Sequence, residues 1–231
     1  MSSTLVLISG LLCDELVWTP FVEQLPASQK VFIPSLGSFN SLTGMAEHIL
    51  QSVSGPIKVA GHSMGGRVAL EIVRLASERI DRLALLDTGT HGYSEGEGEK
   101  RLALVELGER QGMMSLVEPW LLPMLHPKFH HDDAIVTPLI AMLGRMNSLI
   151  HRNQIEALIN RREADSLLTT IDCKTLIIVG QEDGWSPVTQ HQRMHELISG
   201  SRLEIIPEAG HFAPFEQPRA VNEALNAWLQ D

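Results

Sequence analysis

A serine lies between two glycines in the segment GHSMG, residues 61–65. The pattern G-x-S-x-G is typical of a nucleophile on a strained strand-to-helix turn, where small neighbours let the backbone pass closely. The apolar run IKVA before it predicts a buried strand, and GGRVALEIVRLA after it predicts a helix. Ser63 is therefore a candidate nucleophile. The alternative is a small residue in a nucleotide-binding turn, although the segment lacks the Lys-Ser/Thr ending of a phosphate loop and the G-x-G-x-x-G spacing.

A serine hydroxyl becomes a useful nucleophile only when a base removes its proton and a third group orients that base. Asp183 in VGQEDGWSP and His211 in PEAGHFAPFEQP are candidates for the acid and the base. Each follows a predicted strand at its carboxyl end, which is the edge where parallel sheets assemble binding sites. Glu182 and Asp87 are the alternatives for the acid.

Short runs rich in Leu, Val and Ile alternate along the chain with segments of helical spacing. Such runs indicate strands buried on both faces, as in a parallel sheet. The predicted strands cover 4–9, 30–34, 57–61, 82–87, 175–180 and 202–207, and the predicted helices cover 42–53, 65–80, 188–198 and 218–229. The alternation predicts an α/β fold with a mostly parallel central sheet flanked by helices.

No strand is predicted between residues 88 and 170, where the spacing is helical. We therefore expect a core formed by residues 1–87 and 171–231, and a helical insertion at residues 88–170 that caps it. The insertion contains Trp120 and the methionines Met113, Met114, Met124, Met142 and Met146. They suit a pliable apolar lid, or simply the packing of helices. Its arginines Arg145, Arg152, Arg161 and Arg162 could meet a substrate carboxylate, but surface charge is the favoured interpretation for most of them.

These motifs together resemble the α/β-hydrolase superfamily, specifically its compact carboxylesterase-like and enol-lactonase-like members. The resemblance extends from Thr4 to the last helix, and rests on GHSMGG, VGQEDGWSP and AGHFAPFEQP in that order. It implies a catalytic triad of Ser63, Asp183 and His211. Counting the strand-like runs gives about six or seven strands, fewer than in larger members of the superfamily.

The resemblance also implies an oxyanion hole formed by the backbone N–H groups of Leu11 and Met64. In ISGLLCDELVW, Ser9 stands where the superfamily usually has histidine, so the assignment of Leu11 departs from the pattern. Candidate substrate-pocket residues are His62, Trp120 and Met142, with simple packing as the alternative for each.

The formal net charge of −10 disfavours nucleic acid and anionic membrane surfaces as partners. No metal is predicted, because the histidines of HPKFHHDDA, residues 126–134, lack the spacing of a ligand set. Cys13 and Cys173 belong to no CxxC pair and are interpreted as buried thiols in a reducing, cytoplasmic setting. The first apolar run is short and has no basic residue before it, which indicates a strand rather than a signal peptide.

The expected activity is hydrolysis of a small carboxylic ester, thioester or lactone, of the carboxylesterase type, with no cofactor. The same Ser-His pair would also suit carbon–carbon bond hydrolysis or lyase chemistry. A third possibility is a ligand-binding protein that keeps the fold without turnover. The expected partner is the small substrate alone, and the chain is expected to be a monomer or a homodimer.

Overall fold

A computed structural model describes residues 3–230 of the chain. In this range the chain forms one sheet and ten α-helices, three of which are single turns of four residues. The strands are β1 Thr4–Ile8, β2 Val31–Phe32, β3 Ile57–His62, β4 Ile80–Leu86, β5 Lys174–Gly180 and β6 Arg202–Ile206. The helices are α1 Thr19–Val22, α2 Leu42–Ser52, α3 Met64–Ala76, α4 Glu97–Gln111, α5 Asp133–Gly144, α6 Ser148–Ile159, α7 Asp165–Leu168, α8 Val188–Leu197, α9 Ala213–Glu216 and α10 Pro218–Gln230.

The six strands lie in the order β2-β1-β3-β4-β5-β6, and every neighbouring pair is parallel. Alternate side chains enter two different apolar clusters, as the two-residue period of a strand requires. In β1, Val6 and Ile8 pack with α2, α3 and the helical insertion, whereas Leu5 and Leu7 pack with α1 and α10. Both faces are therefore buried, which explains why the strands consist of nearly continuous Leu, Val and Ile.

The α/β fold and its parallel sheet, predicted from the alternating runs, are confirmed, and the observed number of strands is six. Each of the six predicted runs overlaps one observed strand, and β3, β4 and β5 extend one or two residues beyond their predicted bounds. The helix predicted over 65–80 ends earlier, at Ala76, and a 3₁₀ turn leads into β4 at Ile80.

Between β4 and β5 the chain is helical, and the described residues of this interval contain no strand. Three of its helices, α4, α5 and α6, are accompanied by 3₁₀ turns and a π-helical turn at Val117–Leu121. Within the interval of helical spacing, residues 133–159 form two helices, α5 and α6, rather than one. Asn147 separates them because its side chain accepts a hydrogen bond from Ile150 N, which caps the start of α6.

Within residues 3–230, no single helix is long and apolar enough to cross a membrane. Only α5 and α6 taken together have the length and apolar composition of a membrane span, and the two helices are bent by 96° at the break between them. Cys13 and Cys173 are free thiols, and both are half-buried rather than buried.

Candidate active site

Ser63 lies on the sharp turn between β3 and α3. Its backbone has φ 55° and ψ −116°, a conformation that costs a residue with a side chain energy and that concentrates at functional sites. Ser63 N donates to the carbonyl oxygen of Leu86 at 2.9 Å, so the neighbouring strand β4 holds the turn in place. The hydroxyl is thereby presented beyond the carboxyl end of the sheet.

The glycines around Ser63 are required by close backbone contacts. A Cβ on Gly61 would stand 2.3 Å from the carbonyl oxygen of Gly65, and a Cβ on Gly65 would stand 2.1 Å from that of Ile8. Real Cβ atoms do not approach so closely, so only glycine lets β1, β3 and α3 meet here. These contacts explain why both glycines of the G-x-S-x-G pattern are needed in this chain.

The structure brings Ser63, His211 and Asp183 into one line of hydrogen bonds. Ser63 Oγ lies 2.7 Å from His211 Nε2, and His211 Nδ1 lies 2.8 Å from Asp183 Oδ2. An ionised carboxylate only accepts hydrogen bonds, so Nδ1 carries the proton and Nε2 is free to accept the serine proton. The three side chains come from the ends of β3, β5 and β6, which the sequence motifs had predicted to share one edge.

Asp183 is held as a charged acceptor. Burial by itself would raise the pKa of this carboxyl, but the charge of His211, its hydrogen bond, and the N–H groups of Ser186 and Trp185 lower it. Those two N–H groups donate to Oδ1 at 2.9 and 2.8 Å. One carboxylate oxygen is thus fixed by the turn after β5, and the other is left to orient the imidazole.

The two alternatives for the acid lie elsewhere. Asp87 is completely buried at the end of β4, where its Oδ1 accepts from Gly180 N at 2.9 Å. Burial and the nearby charge of Asp183 raise its pKa well above the usual range, so it resists ionisation. Glu182 accepts from Ala209 N at 3.1 Å and makes no hydrogen bond to His211.

His62 takes no part in the side-chain hydrogen bonds that join Ser63, His211 and Asp183, and it contacts the backbone of His211 instead. Its Nε2 lies 2.7 Å from the carbonyl oxygen of His211, to which it donates. Burial and the charge of His211 lower the pKa of His62 to about 3, so the imidazole is neutral. The contact of 3.7 Å between His62 and Asp87 is therefore not an ion pair at neutral pH.

Leu11 and Met64, the candidate oxyanion donors, flank the serine on two sides. A Cβ on Gly10, the residue before Leu11, would stand 3.2 Å from Ser63 Cβ. Met64 is the first residue of α3, where a backbone N–H has no partner within the helix. The loop containing Leu11 is fixed from both ends, because Ser9 Oγ donates to Asp14 O and Leu12 N donates to Gln154 Oε1, each at 2.8 Å. Ser9 thus closes the loop at the position where the superfamily usually has histidine.

A cavity of about 380 Å³ opens above Ser63 and His211. Much of its lining is apolar and comes from both the core and the helical insertion, namely Leu11, Met64, Leu104, Trp120, Met124, Ile155, Leu158 and Phe212. Four exposed side chains, His91, Ser94, Lys100 and Trp185, also line it and mark where it meets solvent. The helical segment between β4 and β5 therefore forms one wall of the cavity.

Basic side chains outnumber acidic ones in this lining. Arg67, Lys100 and Arg101 line the cavity against the single carboxylate of Glu97. Glu97 is already paired with Arg101 and Arg161, and within residues 3–230 no carboxylate lies in ion-pair range of Arg67. Burial and the two other arginines lower the pKa of Arg67 to about 9, which still leaves it a cation at neutral pH.

Of the three predicted pocket residues, His62 and Trp120 line the cavity and Met142 does not. Met142 is fully buried in the apolar cluster between α5 and the 3₁₀ turn Met113–Leu116, so packing is its role. The side chain of Arg161, one of four arginines of which most were expected at the surface, is 1 % exposed in its ion pair with Glu97. The histidine-rich segment 126–134 leads into α5, which Asp132 caps, and the described residues contain no cluster suited to a metal ion.

Two buried groups that the sequence analysis left without a role support the site. Glu216 accepts hydrogen bonds from the N–H groups of His126, Gly210 and Phe212, so it joins the His211 loop to the helical insertion. The only signal was its place in the motif around His211. His191 Nε2 accepts from Thr88 N at 3.0 Å, and Thr88 Oγ1 donates to Ser63 O at 2.7 Å. Nothing in the sequence singled out that pair.

The sequence matches known proteins over most of its length. A family model described as "Alpha/beta hydrolase family" matches residues 5–224. A candidate 2-succinyl-6-hydroxy-2,4-cyclohexadiene-1-carboxylate synthase of Bacillus subtilis (strain 168) is 25% identical over 249 residues, covering 99% of this chain and 90% of that protein. A 2-hydroxy-6-oxononadienedioate/2-hydroxy-6-oxononatrienedioate hydrolase of Escherichia coli is 28% identical over 213 residues, covering 84% of this chain and 71% of that protein.

Among solved structures, a thermophilic esterase from Thermogutta terrifontis, with malate bound, is similar to the whole chain. Its TM-score is 0.91 and its sequence identity is 27%, and the match covers 100% of this chain and 90% of that one.

Proposed function

The chain belongs to the alpha/beta hydrolase family, and on that premise we propose that it is a serine hydrolase that cleaves a small carboxylic ester, thioester or lactone. One observation carries the proposal. Ser63 Oγ, His211 and Asp183 form a continuous line of hydrogen bonds of 2.7 and 2.8 Å, and the serine and histidine open into a largely apolar cavity. This is the arrangement that activates a serine hydroxyl.

In the proposed reaction, His211 Nε2 takes the proton of Ser63 as the hydroxyl oxygen attacks the substrate carbonyl. Asp183 stabilises the imidazolium and keeps Nδ1 as the protonated nitrogen. The imidazolium then gives the proton to the departing alcohol or thiol, which leaves an acyl group on Ser63. His211 next removes a proton from water, and the resulting attack releases the carboxylic acid and restores the serine.

The oxyanion of each tetrahedral intermediate would be bound by the N–H groups of Leu11 and Met64. Two observations support this assignment: both residues line the cavity beside Ser63, and Met64 is the first residue of α3, where a backbone N–H has no acceptor within the helix. Loss of one such donor typically costs on the order of a hundredfold to a thousandfold in rate.

The test is hydrolysis of p-nitrophenyl esters from acetate to dodecanoate by the protein and by Ser63→Ala. A cavity of about 380 Å³ lies at the small end of ligand pockets, so kcat/KM should peak at a short or medium chain. The Ser63→Ala variant should lose at least a thousandfold of the rate. Equal rates for the protein and the variant would refute Ser63 as the nucleophile, and an absence of turnover with every ester and thioester would refute the activity.

A second candidate is hydrolysis of a carbon–carbon bond in a carboxylate-bearing substrate. The observation that favours it is Arg67, a cation in the cavity with no carboxylate partner in the described residues. The two curated relatives are named for carboxylate-containing compounds. Turnover of 2-hydroxy-6-oxononadienedioate that exceeds ester hydrolysis, and that Arg67→Gln reduces mainly through KM, would favour this candidate. No turnover of that compound would leave ester hydrolysis as the better proposal.

A further inference from the structure

The loop after β1 contains a four-residue turn whose third residue has a strained backbone. Cys13 N donates to the carbonyl oxygen of Gly10 at 3.2 Å, so Leu11 and Leu12 are the two central residues of the turn. Leu12 has φ 54°, in the left-handed region. Turns with a positive φ at this position favour glycine, because a side chain costs energy there. A leucine in this conformation persists only where the surrounding groups hold it.

The peptide group between Leu11 and Leu12 is held at both of its ends. Leu12 N donates to Gln154 Oε1 at 2.8 Å, and Leu11 O accepts from the thiol of Cys13 at 3.2 Å. Leu12 is fully buried and Gln154 is 4% exposed. Rotation of this peptide group would relieve the strain by giving Leu12 a negative φ. The same rotation would take the Leu12 N–H away from Gln154 and leave it buried without a partner, which opposes the relaxation.

Gln154 belongs to the helical segment between β4 and β5 rather than to the sheet. It lies on α6, 142 positions from Leu12 along the chain. Among the residues that the structure describes, its side-chain amide makes this one hydrogen bond. Ile155 and Leu158 of the same helix line the cavity of the candidate site, whereas Gln154 does not. Gln154 therefore reaches the site only through the backbone of the turn.

We propose that Gln154 is a positioning residue for the oxyanion hole. It holds the Leu11–Leu12 peptide group in the strained orientation, so that Leu11 N keeps the place from which it would bind the oxyanion. The inference rests on the proposed function, because Leu11 N is a candidate donor only in that reaction. The oxyanion forms on the way to the tetrahedral intermediate and not in the bound substrate. Loss of the Gln154 acceptor should therefore lower kcat and change KM little.

Gln154→Met tests this role, because methionine has a similar length and its sulfur is only a weak acceptor. With p-nitrophenyl butyrate, we expect kcat to fall about tenfold to a hundredfold, while KM stays within about threefold. The loss is smaller than that of a deleted donor because Leu11 N is displaced rather than removed. Gln154→Glu keeps an acceptor oxygen in either protonation state and should restore kcat to within about fivefold of the parent. An unchanged kcat in Gln154→Met, or an equal loss in both variants, would overturn the proposal.

Asn153→Leu is the matched control for the attachment of α6. Asn153 Nδ2 donates to Gly37 O at 3.1 Å, so this neighbouring side chain also joins α6 to a loop that follows a strand. Its replacement should lower the thermal midpoint but leave kcat within about twofold of the parent. A loss of kcat as large as in Gln154→Met would mean that any weakening of α6 slows the reaction, and a specific positioning role would be refuted.

Amide hydrogen exchange gives a measurement that does not depend on turnover. The Leu12 N–H should exchange at least tenfold faster in Gln154→Met than in the parent, and at the parent rate in Asn153→Leu. Equal exchange in Gln154→Met and the parent would refute the hold of Gln154 on the turn, whatever the activity. If Leu12 behaves as expected but the parent hydrolyses no ester, the proposed function and the oxyanion role fail, while Gln154 still fixes the turn.

Discussion

His62 Nε2 donates a 2.7 Å hydrogen bond to the main-chain carbonyl oxygen of His211, so one buried histidine positions the loop of another. The bond joins the strand that ends at the candidate nucleophile to the loop that holds the candidate base. His62 thereby helps to fix the distance between Ser63 and His211 through the backbone of the His211 loop.

Replacement of His62 by leucine should reduce both stability and rate. The change leaves a buried carbonyl oxygen without its donor, which costs about 1–3 kcal/mol in the free energy of unfolding. We expect kcat to fall more than KM rises, because the base is displaced while the cavity is retained. His62→Gln keeps a donor and should recover part of the rate. Urea unfolding and ester kinetics measure the two effects, and equal kinetics in the protein and the leucine variant would contradict the positioning role.

Replacement of Asp183 by asparagine should lower kcat by a factor on the order of ten thousand, because the amide favours the wrong imidazole tautomer. Asp87→Asn is the matched control. Burial disfavours the charged form of Asp87, so a neutral amide of the same shape is a close substitute, and the rate should stay within about tenfold. The reverse result, with Asp87→Asn the more damaging change, would identify Asp87 as the acid.

Replacement of Gly180 by alanine should separate the two turns that hold the acid and the base. The new Cβ would stand 2.1 Å from the carbonyl oxygen of Gly210 and 2.5 Å from that of Ala209. Such overpacking costs about 1–3 kcal/mol or more, and the thermal midpoint should fall with it. At Gly184 a Cβ would meet nothing within 4 Å, so Gly184→Ala should change the midpoint little. A similar midpoint for both variants would show that the backbone relieves the contact at Gly180.

Acidification should destabilise the protein partly through His151. Burial lowers its pKa from 6.5 to about 4, so between these values the unfolded chain binds a proton that the folded protein refuses. The stability linked to this group is therefore complete above pH 6.5 and is lost as the pH falls towards 4. Relative to the parent, His151→Leu should gain up to about 1.4 kcal/mol in unfolding free energy per pH unit over that range.

Urea titrations at pH 7.5, 6 and 5 measure this gain. The comparison between variant and parent is needed because Asp87 and Glu216, whose pKa values are raised, have the opposite effect on acidification. His131→Gln, a change at an exposed histidine, is the control. A constant difference between His151→Leu and the parent across the three pH values would contradict the lowered pKa.

Local patterns predicted the sheet and the meeting of Ser63, Asp183 and His211. The sheet could be predicted because buried strands are continuous apolar runs of a few residues. The meeting of the three residues could be predicted because the turns at the carboxyl ends of parallel strands share one edge of the sheet. The choice of Asp183 over Asp87 rests instead on the match of VGQEDGWSP to the superfamily's acid turn, because Asp87 also ends a predicted strand.

Features that depend on contacts between distant segments could not be predicted. Met142 and Trp120 are both apolar residues of the helical interval, and only the packing of α5 and the π-helical turn decides that Trp120, and not Met142, lines the cavity. Arg161 reads as a surface residue because its partner, Glu97, is 64 positions away. The His151 ring nitrogens have no hydrogen-bond partner among the described residues, and this depends on the segments packed around them, which the spacing of residues in the sequence does not reveal.

The helical insertion is fastened to the loop of the candidate base at its backbone. His211 N donates to Met124 O at 2.7 Å, and Glu216 accepts from His126 N beside it. A swing of residues 124–126 away from the core would therefore pull the imidazole from the serine. Ser94 and Lys100 line the same cavity but are exposed and take no part in these hydrogen bonds, so movement of the chain at those residues need not displace the imidazole.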